Sequence, residues 1–340
     1  MSKILRYAKF AEVASFDLEA ALPSPQFTVD TAGTGLDVPA DTQLIWEGGI
    51  GRGPRSHAPG FYALSGNIEQ AADIHTLAWW LKWTLAGYAF TVDTPEMGTN
   101  LHETWGATDL ELPPFVGWLG KDLFEQVVRG CMVSQLQLQV SDGFLTLTPD
   151  IIAAKDAKGT LDESVLDQLP IVPALTFPHV RFWVGGTDAA DERSAKITDL
   201  TLTINNNGDA GRSRGLGSRF PQRIIPAGQR DTTVQFTTYY DSTEHIERVW
   251  GDPNGPSDDG TTELPLRIVA NSGTDGQVTI DLPRVIFTQV QTQPSGRSPI
   301  EPQVSATALL DTVTLEDTTE VESEIYARLE NDQAELEAAA

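Results

Sequence analysis

The stretch Lys196–Gly208, with the sequence KITDLTLTINNNG, alternates apolar and polar residues. Its apolar members Leu200, Leu202 and Ile204 are separated by threonines, and a period of two places them on one face of a β-strand. The asparagines and glycine that follow end the strand, because both residue types tolerate positive φ. The segment therefore predicts a half-buried strand, which needs partner strands to cover its apolar face.

Partner strands with the same alternation occur throughout the chain. Cys131–Val140 and Phe144–Ile152 flank the turn Ser141–Gly143 and predict a hairpin. Further alternating runs are Val234–Tyr240, Leu264–Ile268 and Val278–Leu282. The 29 glycines and 21 prolines are typical of a loop-rich β protein rather than of a helical bundle. We therefore predict a mainly β fold with flanking helices (α+β).

The chain of 340 residues is strongly acidic, with 48 Asp and Glu against 23 Lys and Arg and a net charge of −25. Only seven of the bases are lysine. Such an acidic, lysine-poor composition resembles proteins from salt-loving hosts, where molar salt shortens the Debye length to about 3 Å and screens self-repulsion. The alternative is an ordinary soluble acidic protein. Both interpretations disfavour the wrapping of duplex DNA, which needs clustered Lys and Arg.

Membrane and disulfide features are not predicted. The N-terminal residues lack the apolar core of a signal peptide, and the most apolar long stretch, Ile68–Tyr88, contains Glu69, Asp73, His75 and Lys82. Cys131 is the only cysteine, so no internal disulfide forms, and its place in an alternating strand predicts a small buried side chain.

The strongest helical pattern covers Asn67–Ala86, with Asn67 as the predicted N-cap and Gly87 as the stop. Apolar residues extend beyond one face of this helix because of three tryptophans: Trp79, Trp80 and Trp83. One interpretation is a helix buried in its own domain. The other is a helix whose tryptophans contact another subunit, since aromatic residues concentrate at interface centres.

Three other segments give weaker expectations. Thr94–Gly120 is polar and interrupted by glycine and proline, so it predicts a long loop with a function of its own. Asp122–Val128 predicts a helix, and a second helix is expected over Ser242–Trp250. Glu324–Leu329 fits either a strand or a helix.

A strand–helix–strand order occurs twice and suggests two related β units in one chain. The first unit, residues 1–187, contains the helix at 67–86. The second unit, residues 191–340, contains the helix at 242–250.

A cluster of arginines lies in the glycine-rich segment Asp209–Arg230, which has no acidic residue after Asp209. Arginine binds carboxylates through two parallel hydrogen bonds, so these side chains are candidates for contact with the acidic surface of a neighbouring subunit. The alternative is a solvated loop. The arginines are Arg212, Arg214, Arg219, Arg223 and Arg230.

The sequence predicts no catalytic, metal-binding or cofactor-binding residue. The five histidines are scattered, without a pair at metal-ligand spacing, and no nucleophile motif occurs. The glycines at 49, 51 and 53 lack the lysine and following helix of a phosphate-binding loop. We therefore expect a protein that is not an enzyme.

Several segments together resemble the major tail tube proteins of tailed viruses, including those of haloarchaea. They are the opening segment RYAKFAEVASFD, the hairpin RGCMVSQLQLQVSDGFLTLTPDII, the pair AKITDLTLTINNNGD and FPQRIIPAGQRDTTVQF, and the late strand GQVTIDLPRVIF. A glycine that often follows the family's opening segment is absent here. The resemblance rests on the order of these segments, because none is a catalytic signature.

The resemblance implies a tail-tube-type β-sandwich or barrel whose subunits form rings that stack into a hollow tube for genome delivery. It implies a tape-measure protein and other tail proteins as partners, a place in the virion tail after assembly in the host cytoplasm, and viral DNA that passes without specific binding. An acidic lumen would let DNA slide. If both β units line the lumen, a trimer with pseudo-six-fold symmetry is favoured over a hexamer. The alternatives are a β-sandwich surface binding module and a secretion-system tube protein of the same fold.

Overall fold

The computed structural model describes residues 7–30, 33–39, 42–45, 56–92, 100–121, 123–162, 164, 172–258, 260–273, 275–292 and 300–338. Within these ranges the α-helices are α1 (Ile74–Leu85) and α2 (Glu244–Trp250). Short 3-10 helices cover Phe177–His179, Ala189–Asp191, Ser194–Lys196 and Ala210–Ser213. The strands are β1 (Tyr7–Glu12), β2 (Phe27–Asp30), β3 (Gly33–Asp37), β4 (Thr42–Ile45), β5 (Ser56–Pro59), β6 (Leu64–Ala71), β7 (Ala86–Thr91), β8 (Asn100–Gly106), β9 (Phe115–Lys121), β10 (Phe124–Val140), β11 (Thr146–Ala153), β12 (Lys155–Gly159), β13 (Val180–Val184), β14 (Ile197–Asn205), β15 (Asp231–Thr238), β16 (Glu263–Asn271), β17 (Gln277–Gln291), β18 (Gln303–Leu309), β19 (Asp311–Thr314), β20 (Glu320–Ser323) and β21 (Tyr326–Asn331).

Most strands belong to three antiparallel sheets, here called sheets I, II and III. Sheet I has the strand order β3-β6-β11-β10-β14-β15-β18-β17. Sheet II has the order β13-β16-β17-β21-β8-β7, and sheet III the order β2-β1-β9-β10-β12. The long strand β17 therefore joins sheets I and II, and the long strand β10 joins sheets I and III.

Backbone irregularities let these long strands serve two sheets each. In β10 the register shifts between Val128 and Cys131, around Gly130 at φ +61°. Glycine is required there, because a Cβ would lie 2.5 Å from the Phe16 ring and positive φ is unfavourable for other residues. In β17 the change of partner from β21 to β18 occurs around Pro283, which has no backbone N–H to donate.

The core lies between sheets I and II, with α1 against it. Alternate residues of the facing sheets, such as Leu138 and Ile280, line a small apolar space together with Leu77 of α1. On its other side α1 packs against sheet III, where the rings of Trp83 and Phe115 stack with centroids 4.3 Å apart. Burying a large aromatic side chain stabilises a fold by about 3 kcal/mol or more relative to alanine. This helix is therefore a central element of the fold.

The predicted helix over Asn67–Ala86 begins seven residues too early. Asn67 lies in β6, exposed and paired with Asp150 of β11, and the helix begins at Ile74. Asp73 is the N-cap, since its Oδ1 accepts hydrogen bonds of 2.9 Å from the N–H groups of residues 75 and 76. The strand β6 is paired with β11 on one edge and with β3 on the other, so the backbone N–H and C=O groups around Asn67 are hydrogen-bonded within the sheet. This pairing explains why the helix does not begin at Asn67. The helix ends at Leu85, and the residue that stops it is the C-cap Ala86 at φ +66° rather than the predicted Gly87.

Two further sequence predictions are wrong and one open alternative is settled. Thr94–Gly120 is not a long loop, because it contains β8 and all but the last residue of β9. Asp122–Val128 is not a helix, because its described part forms the start of β10 and pairs with β9. Glu324–Leu329 leads into a strand, since β21 lies between β17 and β8. In each case long-range pairing overrides the local pattern.

The mainly β fold class is confirmed. Lys196–Gly208 contains β14, and the predicted hairpin is formed by β10 and β11. The expected helix over Ser242–Trp250 corresponds to α2.

The proposed division into residues 1–187 and 191–340 has both supporting and opposing features. Ladders β10–β14 and β8–β21 cross the boundary, and a single hydrophobic core contains side chains from both parts. The order of elements nevertheless recurs: β6 of sheet I leads through α1 to the hairpin β7–β8 of sheet II, and β15 of sheet I leads through α2 to the hairpin β16–β17 of sheet II. The relationship between the two units stays a prediction.

Candidate assembly surface

The arginine-rich segment predicted as a contact surface connects β14 to β15 and folds back on itself. Its first turn is capped by Asp209, whose Oδ1 accepts a 2.8 Å hydrogen bond from the N–H of Gly211. The buried Ser213 hydroxyl donates to the carbonyl of Ile224 at 2.8 Å and ties the two arms together. The segment is therefore a defined surface feature, which we call the arginine loop.

Four of the five arginines are exposed on the arginine loop. Arg214 lies over the ring of Phe61, with its Cζ 4.5 Å from the ring centroid, and Arg219 lies over Tyr62 at 5.0 Å. Arg223 donates to the carbonyl of Arg212 at 2.7 Å. Stacking of this kind contributes about 0.5–1 kcal/mol at exposed sites, and it orients a guanidinium without neutralising it.

Most arginines of the arginine loop have no carboxylate partner among the residues that the structure describes. The Nε of Arg212 lies 3.5 Å from the Asp209 carboxylate, and both side chains are exposed. Among the described residues, no carboxylate lies within 4.0 Å of the guanidinium groups of Arg214, Arg219 or Arg223. In a chain with a large excess of carboxylates, this loop is a concentration of available positive charge.

Arg230 differs from the other four because it lies inside the subunit. Its guanidinium donates to the carboxylate of Glu324 at 3.2 Å and to the Asn206 side chain at 3.0 Å. Two further hydrogen bonds go to the carbonyls of Ala107 and Leu85. Arg230 is therefore used within the subunit, and it anchors the end of the arginine loop.

The tip of the arginine loop carries an apolar side chain that the sequence analysis missed. Leu216 is fully exposed and precedes Gly217, which has φ +86°. An isolated leucine between two glycines was the available sequence signal, because a turn tip normally carries polar residues. Leu216 lies between Arg214 and Arg219 in sequence, so the loop presents an apolar tip flanked by positive charge.

The aromatic support under the arginine loop stays neutral. The Tyr62 hydroxyl donates a 2.6 Å hydrogen bond to Asp156. The pKa of Tyr62 is raised to about 12, mainly because burial disfavours the phenolate, and the hydrogen bond to Asp156 adds to this. Tyr62 therefore offers Arg219 the face of an uncharged ring.

The three tryptophans of α1 lie inside the subunit. Trp80 and Trp83 have no exposed surface and Trp79 is 6% exposed. This burial agrees with the first of the two interpretations, a helix within its own domain. A role for these side chains in contacts between subunits stays a prediction.

A charge cluster beside the tryptophans was not detected in the sequence. The Glu12 carboxylate accepts hydrogen bonds from Nε1 of Trp83 at 2.7 Å and from Nζ of Lys82 at 3.0 Å. Glu12 and Lys82 are both buried, and they lie far apart in the chain. No local spacing signals such a pair.

Three separate features of the described residues concern metal binding, the thiol and membrane spanning. No group of His, Cys, Asp and Glu among them is arranged to hold a metal ion. Cys131 is buried as predicted, and burial raises the pKa of its thiol. Neither of the described helices is long and apolar enough to cross a membrane.

Comparison with known proteins gives a family match. No curated protein matches the chain. A family profile described as phage tail tube protein matches residues 26–311, which include the arginine loop, α1 and most strands of all three sheets. Because the match covers most of the sequence, the chain belongs to the phage tail tube protein family.

Proposed function

We propose that this protein is a major tail tube subunit, whose rings stack into a hollow tube through which the viral genome is delivered. The observation that carries the proposal is the family match over residues 26–311. The extended antiparallel sheets and the defined arginine loop support it. In this function the chain is a structural component of the virion tail and not an enzyme.

The arginine loop is the proposed contact between subunits. Arg212, Arg214, Arg219 and Arg223 project from one loop, and the net charge of −25 means that a second copy offers mainly carboxylates. Arginine and carboxylate form paired hydrogen bonds of defined geometry, so the contact would fix orientation as well as provide attraction. The exposed Leu216 adds an apolar anchor at the same tip.

Further partners follow from the same function. A tape-measure protein would occupy the tube during assembly in the host cytoplasm, and other tail proteins would join its ends. Viral DNA would pass without specific binding. The acidic, lysine-poor composition supports a virus of a salt-loving host.

Negative-stain microscopy of the purified protein tests the proposal. Rings or tubes are the expected result, because a tube subunit carries its assembly information in its own surfaces. A protein that stays monomeric at high concentration and in both low and molar salt would contradict the proposal. That result would favour a β-sandwich binding module instead.

A charge-matched pair of variants tests the arginine loop. The triple variant Arg212→Gln, Arg214→Gln, Arg223→Gln removes three positive charges from the loop. The control Arg181→Gln, Arg284→Gln, Arg328→Gln removes three exposed or partly exposed positive charges elsewhere, each of which is paired with a glutamate of the same subunit. We expect both variants to fold and only the loop variant to lose tube formation. Equal assembly of the two variants would contradict the proposed contact.

A further inference from the structure

The hairpin formed by β19 and β20 carries only negative charge. Residues 311–323 contain no lysine, arginine or histidine. The two strands pair in antiparallel register, with Thr312 opposite Glu322 and Thr314 opposite Glu320. We call this hairpin the acidic ribbon. Its five carboxylates belong to Asp311, Glu316, Asp317, Glu320 and Glu322.

One face of the acidic ribbon points to solvent. Residues two apart in a strand share a face, so Glu320 and Glu322 lie side by side, together with the threonines opposite them. These four side chains are exposed, whereas Val313 and Val321 on the other face are partly buried. Two neighbouring carboxylates on one face repel each other, so a cationic partner would stabilise the arrangement.

The acidic ribbon is a defined surface because its base is held to β8. The N–H of Glu316 donates a 2.9 Å hydrogen bond to the buried carboxylate of Glu103. The Ser323 hydroxyl accepts a hydrogen bond of the same length from the N–H of Gly106. Leu315, which precedes the turn, is buried.

Most of the carboxylates of the acidic ribbon have no cationic partner close by. Glu316 lies 3.3 Å from Arg328. Over the ranges that the structure covers, no basic side chain lies within 4.0 Å of the carboxylates of Asp317, Glu320 or Glu322. These three carboxylates equal in number the unpaired guanidinium groups of the arginine loop, so the two surfaces are complementary in charge.

The arginine loop and the acidic ribbon lie against different parts of their own subunit. They are joined at their bases, where Arg230 at the end of the loop binds Glu324, the residue after β20. Two exposed arginines of the loop stack on aromatic rings just before β6, whereas the ribbon lies against β8 and β17. Within the described part of the chain, no ion pair joins their exposed side chains. A contact between the exposed parts therefore requires two copies of the chain.

We propose that the arginine loop of one subunit docks on the acidic ribbon of a second copy of this chain. The inference rests on the proposed tube function, and it names the surface that the arginine loop contacts. Arginine binds a carboxylate through two parallel hydrogen bonds, and complementary charges orient two partners. The family match ends at residue 311, so the match itself assigns the acidic ribbon no role.

A cleft beside the acidic ribbon accommodates the apolar tip of the arginine loop. The cleft has a volume of about 650 Å³ and lies between β19 and the outer face of sheet II. Val313, Pro265 and Pro283 are among the residues that line it, so burial of the fully exposed Leu216 there would remove apolar surface from water. Glu330 also lines the cleft, and its buried Oε2 accepts no hydrogen bond from a described residue. The arginines that flank Leu216 supply the donor that this atom lacks.

Reversal of charge on the two surfaces tests the pairing. Each set alone places like charges in the contact, so we expect either variant to keep its circular dichroism spectrum but to lose assembly in negative-stain microscopy. A chain that carries both sets has opposite charges in the contact again and should regain assembly. The loop-reversed set is Arg212→Glu, Arg214→Glu and Arg223→Glu. The ribbon-reversed set is Asp317→Arg, Glu320→Arg and Glu322→Arg.

A control chain separates the pairing from the effect of overall charge. It combines the loop-reversed set with three reversals at other exposed carboxylates, namely Asp142→Arg, Asp258→Arg and Glu301→Arg. Its net charge equals that of the doubly reversed chain, so equal recovery of assembly in both would contradict the pairing. If the ribbon-reversed chain assembles as well as the wild type, the acidic ribbon is a solvated face and the proposal is overturned. If the wild-type protein forms no assemblies in low or molar salt, the proposed function fails, and this inference fails with it.

Crosslinking between two copies locates the contact without any reversal of charge. Cys131 is the native cysteine and is buried, so it does not interfere. Leu216→Cys subunits are mixed with Thr314→Cys subunits under assembly conditions, and a short bis-maleimide is added. We expect covalent dimers from this mixture and far fewer from either variant alone or from Leu216→Cys mixed with Asp142→Cys. Equal yields from the two mixtures, or no dimers from the first while assemblies form, would overturn the proposal.

Discussion

The guanidinium of Arg230 lies 3.2 Å from the carboxylate of Glu324, and each side chain keeps only 11% of its surface exposed. The pair joins the end of the arginine loop to the segment that precedes β21. Gly106 makes room for it, since a Cβ at that position would lie 2.2 Å from the Arg230 side chain. A pair of charges removed from water in this way is costly unless both partners are present.

Loss of Arg230 should therefore destabilise the subunit much more than loss of an exposed arginine. We expect Arg230→Gln to cost about 3–5 kcal/mol, because Glu324 would remain buried without its partner. The control Arg284→Gln removes an exposed pair with Glu263 and should change the free energy of unfolding little, because water screens that pair. Urea unfolding of the two variants measures the difference, and equal losses would contradict the internal role of Arg230.

The position of the cap of α1 gives a second prediction. Asp73→Ala should lower the free energy of unfolding by about 0.5–2 kcal/mol, because two backbone N–H groups lose their acceptor. Asn67→Ala, at the N-cap that the sequence analysis predicted, should change it by less than about 0.5 kcal/mol, since Asn67 is exposed in β6. Thermal unfolding of both variants provides the measurement, and a larger effect of Asn67→Ala would support the longer helix.

These positions also show which parts of the fold could be predicted from the sequence. The alternation of apolar and polar residues identifies β14, β15 and β17 as strands, because each of them has one buried face. The same alternation did not identify β6, because its short run of alternating residues is followed almost directly by the apolar residues of α1, which recur at helical spacing. The local pattern of Asp122–Val128 favours a helix, and its strand conformation depends on pairing with β9.

The candidate surface was only partly predictable for a related reason. Five arginines were visible as a cluster, but the burial of Arg230 depends on Glu324, which lies 94 residues away. Charges and contacts that arise from long-range pairing leave no local spacing to detect.

His245 of α2 gives a prediction about pH. Its ring packs edge-on against Phe236 and Phe287, with centroids 5.5 and 6.0 Å away, and its charged neighbours are Glu244, Arg248, Arg193 and Asp241. The pKa of His245 is lowered to about 4, first because burial disfavours the charged ring and then because Arg248 repels it. The folded state therefore favours the neutral ring, and its contribution to stability is complete above about pH 6.5.

As the pH falls from about 6.5 to about 4, the unfolded state binds a proton that the folded state does not, and this contribution is lost. His245→Phe keeps a ring in the pocket but removes the titration. Between pH 7.5 and 4.5, the free energy of unfolding of this variant should fall by about 1–3 kcal/mol less than that of the wild type, as measured by urea unfolding. The control His57→Gln changes an exposed histidine and should follow the wild type. Parallel curves for all three proteins would contradict the assignment.

Salt should stabilise the protein or its assemblies. The 48 acidic residues repel one another, and molar salt reduces the Debye length from about 8 Å to about 3 Å. We expect the melting temperature to rise from low to molar potassium chloride, while sucrose of equal osmolality has a smaller effect. A melting temperature that stays flat or falls with salt would contradict adaptation to a salt-loving host.

The number of chains in a ring is the last prediction. Sheet I takes β3, β6, β11 and β10 from residues 1–187, and β14, β15, β18 and β17 from residues 191–340. Sheet I contains strands from both parts, so a lumen lined by this sheet would receive a contribution from both units of every chain. Three chains would then complete a ring with pseudo-six-fold symmetry, because each contact repeats after a fixed rotation. In the competing arrangement six chains form the ring, and one unit of each chain lies outside. A cryo-microscopy cross-section of a tube distinguishes them: three copies of α1, the longer helix, are expected around the lumen, and six would contradict the trimer.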